Sequence, residues 1–148
     1  MSARLQVVET SLPLETIRVL VCDDSPTYAA ALQRLLERES GIQVVAVCPT
    51  AEAAITALED VRPDLVTMDV ELPGMSGVDA VEEIMRIHPV PILVLSSQVR
   101  PGCDTIGAAY AAGAAAAVAK DDLELRDPDG FVAAALRQRV RTLASQSA

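Results

Sequence analysis

Five short apolar runs, separated by segments with helical spacing of apolar residues, constrain the fold of this chain most. They cover residues 17–22, 43–48, 65–69, 91–96 and 115–119. The first four are nearly continuous apolar stretches of strand length, which is typical of strands buried on both faces. The fifth is mostly alanine, a poor strand former, and is predicted from its context. Strands that alternate with helices predict an α/β fold: a doubly wound five-stranded parallel sheet with helices on both faces.

Helices are predicted between these runs at about 26–39, 50–62, 77–87 and 105–112, and a last helix is predicted after the fifth run at about 130–143. The first begins clearly, with Ser25 as N-cap and Pro26 at the first helical position. The last is amphipathic, and its predicted buried positions are Phe131, Ala134, Ala135, Val140 and Leu143. The arginines of this helix alternate along it, so a solvated face is predicted for Arg137, Arg139 and Arg141.

Length and charge limit the functions that this chain can have. Its 148 residues predict one domain with a sizeable core, and the domain is placed at 17–143, between an N-terminal extension (1–16) and a C-terminal tail (144–148). The net charge of −9 argues against binding to nucleic acid or to an anionic membrane surface. No apolar run approaches the length of a membrane span, and the N-terminus lacks a signal-peptide pattern. A cytoplasmic location is predicted.

The three cysteines lack the spacing of a metal site or a redox motif. Cys22 and Cys48 end apolar runs, so buried reduced thiols are predicted for them. With a single histidine and no clustered ligands, a zinc site is not expected.

Acidic side chains stand where two of the predicted strands end. Asp69 closes the third run, and Asp23 and Asp24 follow the first. An unpaired carboxylate is too costly to bury in a core, so these acids are predicted at the carboxyl edge of the sheet. If the first and third strands are neighbours, the three carboxylates converge and repel one another, and each pair about 4 Å apart costs on the order of 4 kcal/mol at an effective dielectric near 20. A cation must neutralise them, and oxygen ligands without imidazole or thiolate favour Mg²⁺.

Further polar side chains stand at the ends of the fourth and fifth strands. Ser96 and Ser97 close the fourth with hydroxyl donors, and Lys120 closes the fifth with an ammonium group. An aspartate can accept a phosphoryl group, while Mg²⁺ and a lysine neutralise the phosphoryl oxygens. This combination of groups predicts phosphoryl chemistry at the sheet edge.

These motifs resemble those of response-regulator receiver domains. The likeness rests on Val-Cys-Asp-Asp-Ser (21–25), Met-Asp-Val-Glu-Leu-Pro-Gly-Met-Ser-Gly (68–77), Leu-Ser-Ser (95–97) and Gly113-Ala114 with Lys120, and it covers about 17–143. Within the family, the stretches 23–26, 67–73, 85–89 and 95–97 resemble the receiver of the chemotaxis protein-glutamate methylesterase, without its catalytic domain. The resemblance implies a flavodoxin-like fold with strand order 2-1-3-4-5.

The resemblance also implies a role for each polar residue of this edge. Asp69 becomes the phospho-acceptor, Ser96 the switch hydroxyl and Lys120 the cation that pairs with a phosphoryl oxygen. The implied Mg²⁺ ligands are Asp23, Asp24, Asp69 and the backbone carbonyl of Glu71. The side chains of Glu71 and Gln98 would flank the path of an attacking water and tune the lifetime of the phosphoryl group.

Two positions depart from the pattern of the family. Receivers usually carry an aromatic switch residue three positions before the lysine, where this chain has Ala117. They usually have proline after the lysine, where this chain has Asp121. The first change removes the usual rotamer exchange between Ser96 and an aromatic ring, so an atypical switch is predicted.

The leading hypothesis is a single-domain response regulator, phosphorylated on Asp69 by a sensor histidine kinase and read by a downstream protein. It would catalyse only its own phosphorylation and dephosphorylation. Receivers often pair through the face of helix 4, strand 5 and helix 5, which suggests a homodimer. The alternatives are a pseudo-receiver that only binds other proteins, the N-terminal regulatory part of a methylesterase, and a phosphohydrolase. The last is disfavoured because Asp69 is followed by Val70 and Glu71 rather than an Asp-x-Asp loop.

Overall fold

A computed structural model describes residues 16–97 and 104–146 of the protein. Five parallel strands form one sheet in the order β2-β1-β3-β4-β5, which confirms the predicted fold and strand order. The strands are β1 (Ile17–Cys22), β2 (Ile42–Cys48), β3 (Leu65–Asp69), β4 (Ile92–Ser96) and β5 (Ala116–Ala119). The predicted N-terminal extension lies outside the described residues, apart from residue 16.

Five helices cover the sheet: α1 (Pro26–Leu36), α2 (Ala51–Val61), α3 (Gly77–Ile87), α4 (Thr105–Ala112) and α5 (Phe131–Ser145). The N-cap side chains of the first three helices each accept a backbone N–H three residues on, and these caps are Ser25, Thr50 and Ser76. Helix α5 extends two residues beyond the predicted boundary at Leu143. Within the described ranges, no helix is long and apolar enough to cross a bilayer.

Each face of the sheet carries its own hydrophobic core, because successive side chains of a strand point to opposite faces. Val19 and Val21 of β1 pack with apolar residues of α1 and α5. Leu20 and Cys22 of the same strand pack with apolar residues of α2, α3 and α4. The nearly continuous apolar strands of the sequence are thus buried on both sides.

Strand β5 forms although it consists mostly of alanine. It pairs with β4 in a parallel register that runs from Leu93 opposite Ala116 to Ser96 opposite Ala119. Pairing with a buried neighbour outweighs the weak intrinsic preference of alanine. This pairing sets the position of Lys120, which begins a single 3-10 turn directly after the strand.

The buried face of α5 confirms the predicted burial of Val140 and Leu143 but differs from the prediction at the other three positions. Phe131 is 89% exposed, and Ala134 and Ala135 are exposed as well. The positions that face the core are Ala133, Leu136, Arg137, Val140 and Leu143. They repeat at three and four residues, as one face of a helix requires, whereas the predicted set combined two faces.

Arg137 is buried, so its predicted place on a solvated face is wrong. Only 3% of the residue is exposed, and its guanidinium donates to the carbonyl oxygens of Leu35 (3.0 Å) and Pro128 (2.9 Å). Its Nε atom lies 3.4 Å from a carboxylate oxygen of Glu39. The side chain therefore joins α5 to the last turn of α1 and to the loop that precedes α5.

Replacing Arg137 with alanine is expected to lower the free energy of unfolding by about 2–4 kcal/mol, because it removes the hydrogen bonds that the buried guanidinium donates to the carbonyls of Leu35 and Pro128. The matched control is Arg139→Ala on the exposed side of the same helix, where the change should stay within about 0.5 kcal/mol. Urea denaturation of both variants measures the difference. Equal losses would show that the buried hydrogen bonds of Arg137 contribute nothing.

Cys22 and Cys48 are buried free thiols, as predicted, and Cys103 lies outside the described residues. Burial, aided by the nearby Cys48 and Asp69, raises the pKa of Cys22 to about 12. Burial also raises the pKa of Cys48. The folded chain therefore holds both cysteines as neutral thiols.

This burial predicts a pH dependence for thiol reactivity and for stability. At pH 8, iodoacetamide should leave Cys22 and Cys48 unmodified in the native protein and alkylate both in urea, as peptide mass mapping would show. A thiol with a raised pKa stabilises the fold fully below its unfolded pKa, near 9, and this contribution is lost as the pH rises towards 12. Alkylation of native Cys22 at the rate of the unfolded chain would contradict its burial.

Candidate functional site at the carboxyl edge of the sheet

The carboxyl ends of four neighbouring strands bring the predicted polar side chains together. Asp23 and Asp24 follow β1, Asp69 ends β3, Ser96 ends β4 and Lys120 follows β5. Ligand oxygens of the three aspartates lie within 4.8 Å of one another. Asp23 and Asp69 are buried, with 3% and 2% of each residue exposed, while Asp24 is exposed. The cluster is thus held by the sheet and opens to solvent at Asp24.

Lys120 forms ion pairs with both buried carboxylates. Its Nζ atom lies 2.8 Å from Oδ2 of Asp23 and 3.1 Å from Oδ2 of Asp69, and its side chain is only 13% exposed. It is the only lysine in the chain. The ring of Tyr28, on the first turn of α1, lies 4.3 Å from the same nitrogen and adds a cation–π contact.

Local turns fix the other oxygen of each buried carboxylate. Oδ1 of Asp23 accepts the backbone N–H of Ser25 at 2.8 Å, and Oδ1 of Asp69 accepts that of Glu71 at 2.9 Å. In both cases the donor is the backbone N–H of the residue two positions after the aspartate. Aspartate favours this short-range hydrogen bond in turns. Each carboxylate therefore keeps one oxygen on the backbone and directs the other towards Lys120.

The electrostatics of the site reflect burial offset by pairing. Burial raises the pKa of Asp69, although the N–H of Glu71 and the charge of Lys120 act in the opposite direction. Burial alone would lower the pKa of Lys120, but its bond to Asp23 and the charge of Asp69 outweigh that effect and raise it. The site thus favours an ammonium group that is charged at neutral pH.

The donor set fits a hard divalent cation. The described cluster consists of three carboxylates within reach of one point and includes neither an imidazole nor a thiolate. Such an all-oxygen set matches the ligand preference of Mg²⁺. Exposure of Asp24 leaves room for the water ligands that Mg²⁺ retains. Lys120 already pairs with two of these carboxylates, so an ion that binds here competes with it.

The side chain of Glu71 binds both serines at the end of β4. Its Oε2 accepts the Ser96 hydroxyl at 3.1 Å, and its Oε1 accepts both the backbone N–H (3.2 Å) and the hydroxyl (2.8 Å) of Ser97. The sequence predicts no direct role for the Ser97 hydroxyl, whose only signal is its place next to a strand-end serine. Gln98, predicted to flank the site, lies outside the described residues.

Ala117 occupies the middle of β5 opposite Val94 and packs against the core that α2, α3 and α4 cover. The aromatic ring that contacts Lys120 is instead that of Tyr28, which packs on the opposite core. Its hydroxyl is buried and has no hydrogen-bond partner among the described residues. The only ring in contact with Lys120 within the described ranges therefore comes from α1 rather than from β5.

A doubly wound sheet with acids, a hydroxyl and a lysine at its strand ends is the arrangement of a signalling receiver domain. The sequence of the chain matches the response regulator receiver domain family over residues 19–127. The protein therefore belongs to the response regulator receiver family of two-component signalling, as its motifs predicted.

Relatives and solved structures agree with this assignment. The chain is 35% identical over 131 residues to the protein-glutamate methylesterase/protein-glutamine glutaminase of Sulfurimonas denitrificans, an alignment that covers 88% of this chain and 37% of that enzyme. With the corresponding enzyme of Agrobacterium fabrum it shares 39% identity, over 70% of this chain and 29% of the enzyme. The chain thus spans about a third of the length of these relatives.

Among solved structures, the response regulator domain of Thermotoga maritima CheB superimposes with a TM-score of 0.77 at 27% identity, covering 88% of this chain and 98% of that one. A LuxR-family two-component response regulator from Aurantimonas gives a TM-score of 0.75 at 30% identity, over 89% and 87% of the two chains. The protein is thus related to the regulatory domain of the methylesterase.

Proposed function

We propose that the protein is a response regulator whose Asp69 accepts a phosphoryl group from a sensor histidine kinase in a Mg²⁺-dependent phosphorelay. The observation that carries this proposal is the contact of Lys120 with both buried carboxylates, 2.8 Å from Asp23 and 3.1 Å from Asp69. A buried acid beside a second acid and a partly buried ammonium group has the parts that phosphoryl transfer to a carboxylate needs. Such a role would place the protein in the cytoplasm.

In the proposed reaction, a carboxylate oxygen of Asp69 forms a bond to phosphorus while the bond from phosphorus to the kinase histidine breaks. Lys120 pairs with a phosphoryl oxygen, and the Ser96 hydroxyl donates to another. Asp23, Asp24, Asp69 and the backbone carbonyl of Glu71 would hold Mg²⁺, which supplies neutralisation of phosphoryl charge when bound. Binding, orientation and charge neutralisation are the contributions of the chain.

The proposed enzymatic activity is limited to this phosphorylation and its reversal by water. Hydrolysis requires a water in line with the bond between phosphorus and Asp69, and the side chains of Glu71 and Gln98 would control its approach. The position of the Glu71 carboxylate, bonded to Ser96 at the same strand edge, supports this assignment.

Intact mass spectrometry after incubation with acetyl phosphate and Mg²⁺ tests the proposal. Wild-type protein and Asp79→Asn, which replaces an exposed carboxylate on α3, should each gain one phosphoryl group. Asp69→Asn, and wild-type protein in EDTA, should gain none. If the wild type shows neither an adduct nor binding of beryllofluoride, a stable stand-in for the phosphoryl group, the pseudo-receiver hypothesis replaces this one.

A second candidate function is regulation of a methylesterase, supported by the alignment of 88% of this chain with such an enzyme. The surface proposed for contact is the α4–β5–α5 face, which exposes Tyr110 (47%) and Phe131 (89%). A homodimer would use the same face. Gel filtration of the protein and of Phe131→Ser distinguishes these two uses of the face. A wild-type dimer that the substitution dissociates supports pairing of two copies, whereas a monomeric wild type favours contact with a different protein.

A further inference from the structure

We infer that Glu71 is a positioning residue that holds the Ser96 hydroxyl in a resting position, and that a phosphoryl group on Asp69 must take this hydroxyl from Glu71. Ser97 is the anchor that keeps the Glu71 carboxylate in place. This inference rests on the proposed function, since it concerns the switch that phosphorylation of Asp69 would operate.

The hydrogen bonds occupy both oxygens of the Glu71 carboxylate. Among the described residues, Oε2 accepts from Ser96, and Oε1 accepts twice from Ser97, through the backbone N–H and through the hydroxyl. Ser96 is fully buried, Glu71 is half-buried and Ser97 is exposed. Three donors from two consecutive residues thus orient one carboxylate towards a buried hydroxyl.

Competition for Ser96 follows from the chemistry of a hydroxyl group. A serine has one O–H donor, so it cannot donate fully to Glu71 and to a phosphoryl oxygen at once. The phosphoryl group would also bring negative charge to the site. This charge would repel the Glu71 carboxylate and favour its movement away from Ser96. When the Ser96 hydroxyl donates to a phosphoryl oxygen instead, the Glu71 carboxylate would keep its hydrogen bonds from Ser97 and lose the one from Ser96.

Glu71 is placed to respond to Asp69 because the two residues are already joined. The backbone N–H of Glu71 donates to Oδ1 of Asp69 at 2.9 Å, while its side chain reaches the end of β4. A change at Asp69 is therefore transmitted from the β3–α3 turn to Ser97, the first residue after β4. This route needs no aromatic ring in β5, where the chain has Ala117.

Beryllofluoride binding to the Mg²⁺-loaded protein, measured by calorimetry, tests the competition in a double-mutant cycle. Glu71→Gln should tighten binding about fivefold to tenfold, because a hydrogen bond to a charged acceptor is roughly twice as strong as one to a neutral acceptor. In the Ser96→Ala background the same substitution should change binding by less than about twofold. Ser97→Ala should tighten binding about twofold to threefold, again only when Ser96 is present.

The cycle separates this mechanism from a general effect of charge. Glu82→Gln, which removes an exposed carboxylate from α3, should leave binding unchanged. If Glu71→Gln tightens binding by the same factor with and without the Ser96 hydroxyl, Glu71 acts through its charge and the inference is wrong. Failure of the wild type to bind beryllofluoride would instead reject the proposed function itself, so the two failures are distinguishable.

Discussion

Replacing Lys120 with methionine is expected to raise the affinity of the acidic cluster for Mg²⁺ by about tenfold or more. The ammonium group lies 2.8 Å and 3.1 Å from carboxylate oxygens that are among the expected metal ligands. A unit charge about 4 Å away contributes on the order of 4 kcal/mol at an effective dielectric near 20. If the substitution relieves only a third of that repulsion between the ammonium group and the metal, the affinity for Mg²⁺ rises about tenfold. Calorimetric titration with Mg²⁺ measures the change.

The same substitution should make stability depend on Mg²⁺. Without the metal, Asp23 and Asp69 lose their buried cation, so the melting temperature should fall; saturating Mg²⁺ should restore most of the loss. The control Arg86→Met removes an equal charge from an exposed position on α3, and both quantities should stay unchanged. Equal Mg²⁺ affinity in Lys120→Met and the wild type would contradict competition between the lysine and the metal.

Replacing Gly77 with alanine should disrupt the turn that follows Asp69. A Cβ atom at this position would lie 2.5 Å from Cα of Val70 and closer still to the carbonyl oxygen of Asp69. Both obstacles are backbone atoms of the acceptor strand and its turn, so no side-chain movement relieves the overlap. We expect a loss of about 3 kcal/mol in the free energy of unfolding, at the upper end of overpacking costs, together with loss of phosphorylation.

The matched control for Gly77→Ala is Gly107→Ala in α4. There the three atoms nearest to the added methyl group all belong to the side chain of Asp104, which is exposed and can move aside, and alanine favours a helix by about 0.5–1 kcal/mol over glycine. Urea denaturation should therefore show opposite signs for the two variants. A stable Gly77→Ala protein that still phosphorylates would show that the turn after Asp69 tolerates displacement.

The fold was predictable because each strand is identified by its own residues. Continuous apolar runs such as the one that ends at Cys22 indicate strands buried on both faces, and the polar residues just beyond them mark one edge of a parallel sheet. Asp23, Asp69 and Lys120 converge as predicted for that reason alone. The sequence places each residue at a strand end, and the parallel sheet brings the ends together.

Features that depend on the phase of a helix or on a side chain's reach were not predictable. The buried face of α5 is offset from the predicted one because alanines occupy both faces of that helix and mark neither. Arg137 is buried since backbone carbonyls of Leu35 and Pro128 meet its guanidinium, and Leu35 is distant in sequence. The bonds from Ser96 and Ser97 to Glu71 likewise join segments that no local pattern connects.

The proposed phosphorelay requires Asp69, rather than a neighbouring aspartate, to carry the phosphoryl group. Borohydride reduces an aspartyl phosphate to homoserine, so treatment of the phosphorylated protein followed by peptide mass mapping locates the acceptor. We predict homoserine at position 69, formed only in samples that received both Mg²⁺ and a phosphodonor. Homoserine at position 23 or 24, or an adduct that leaves Asp69 unreduced, would contradict the assignment.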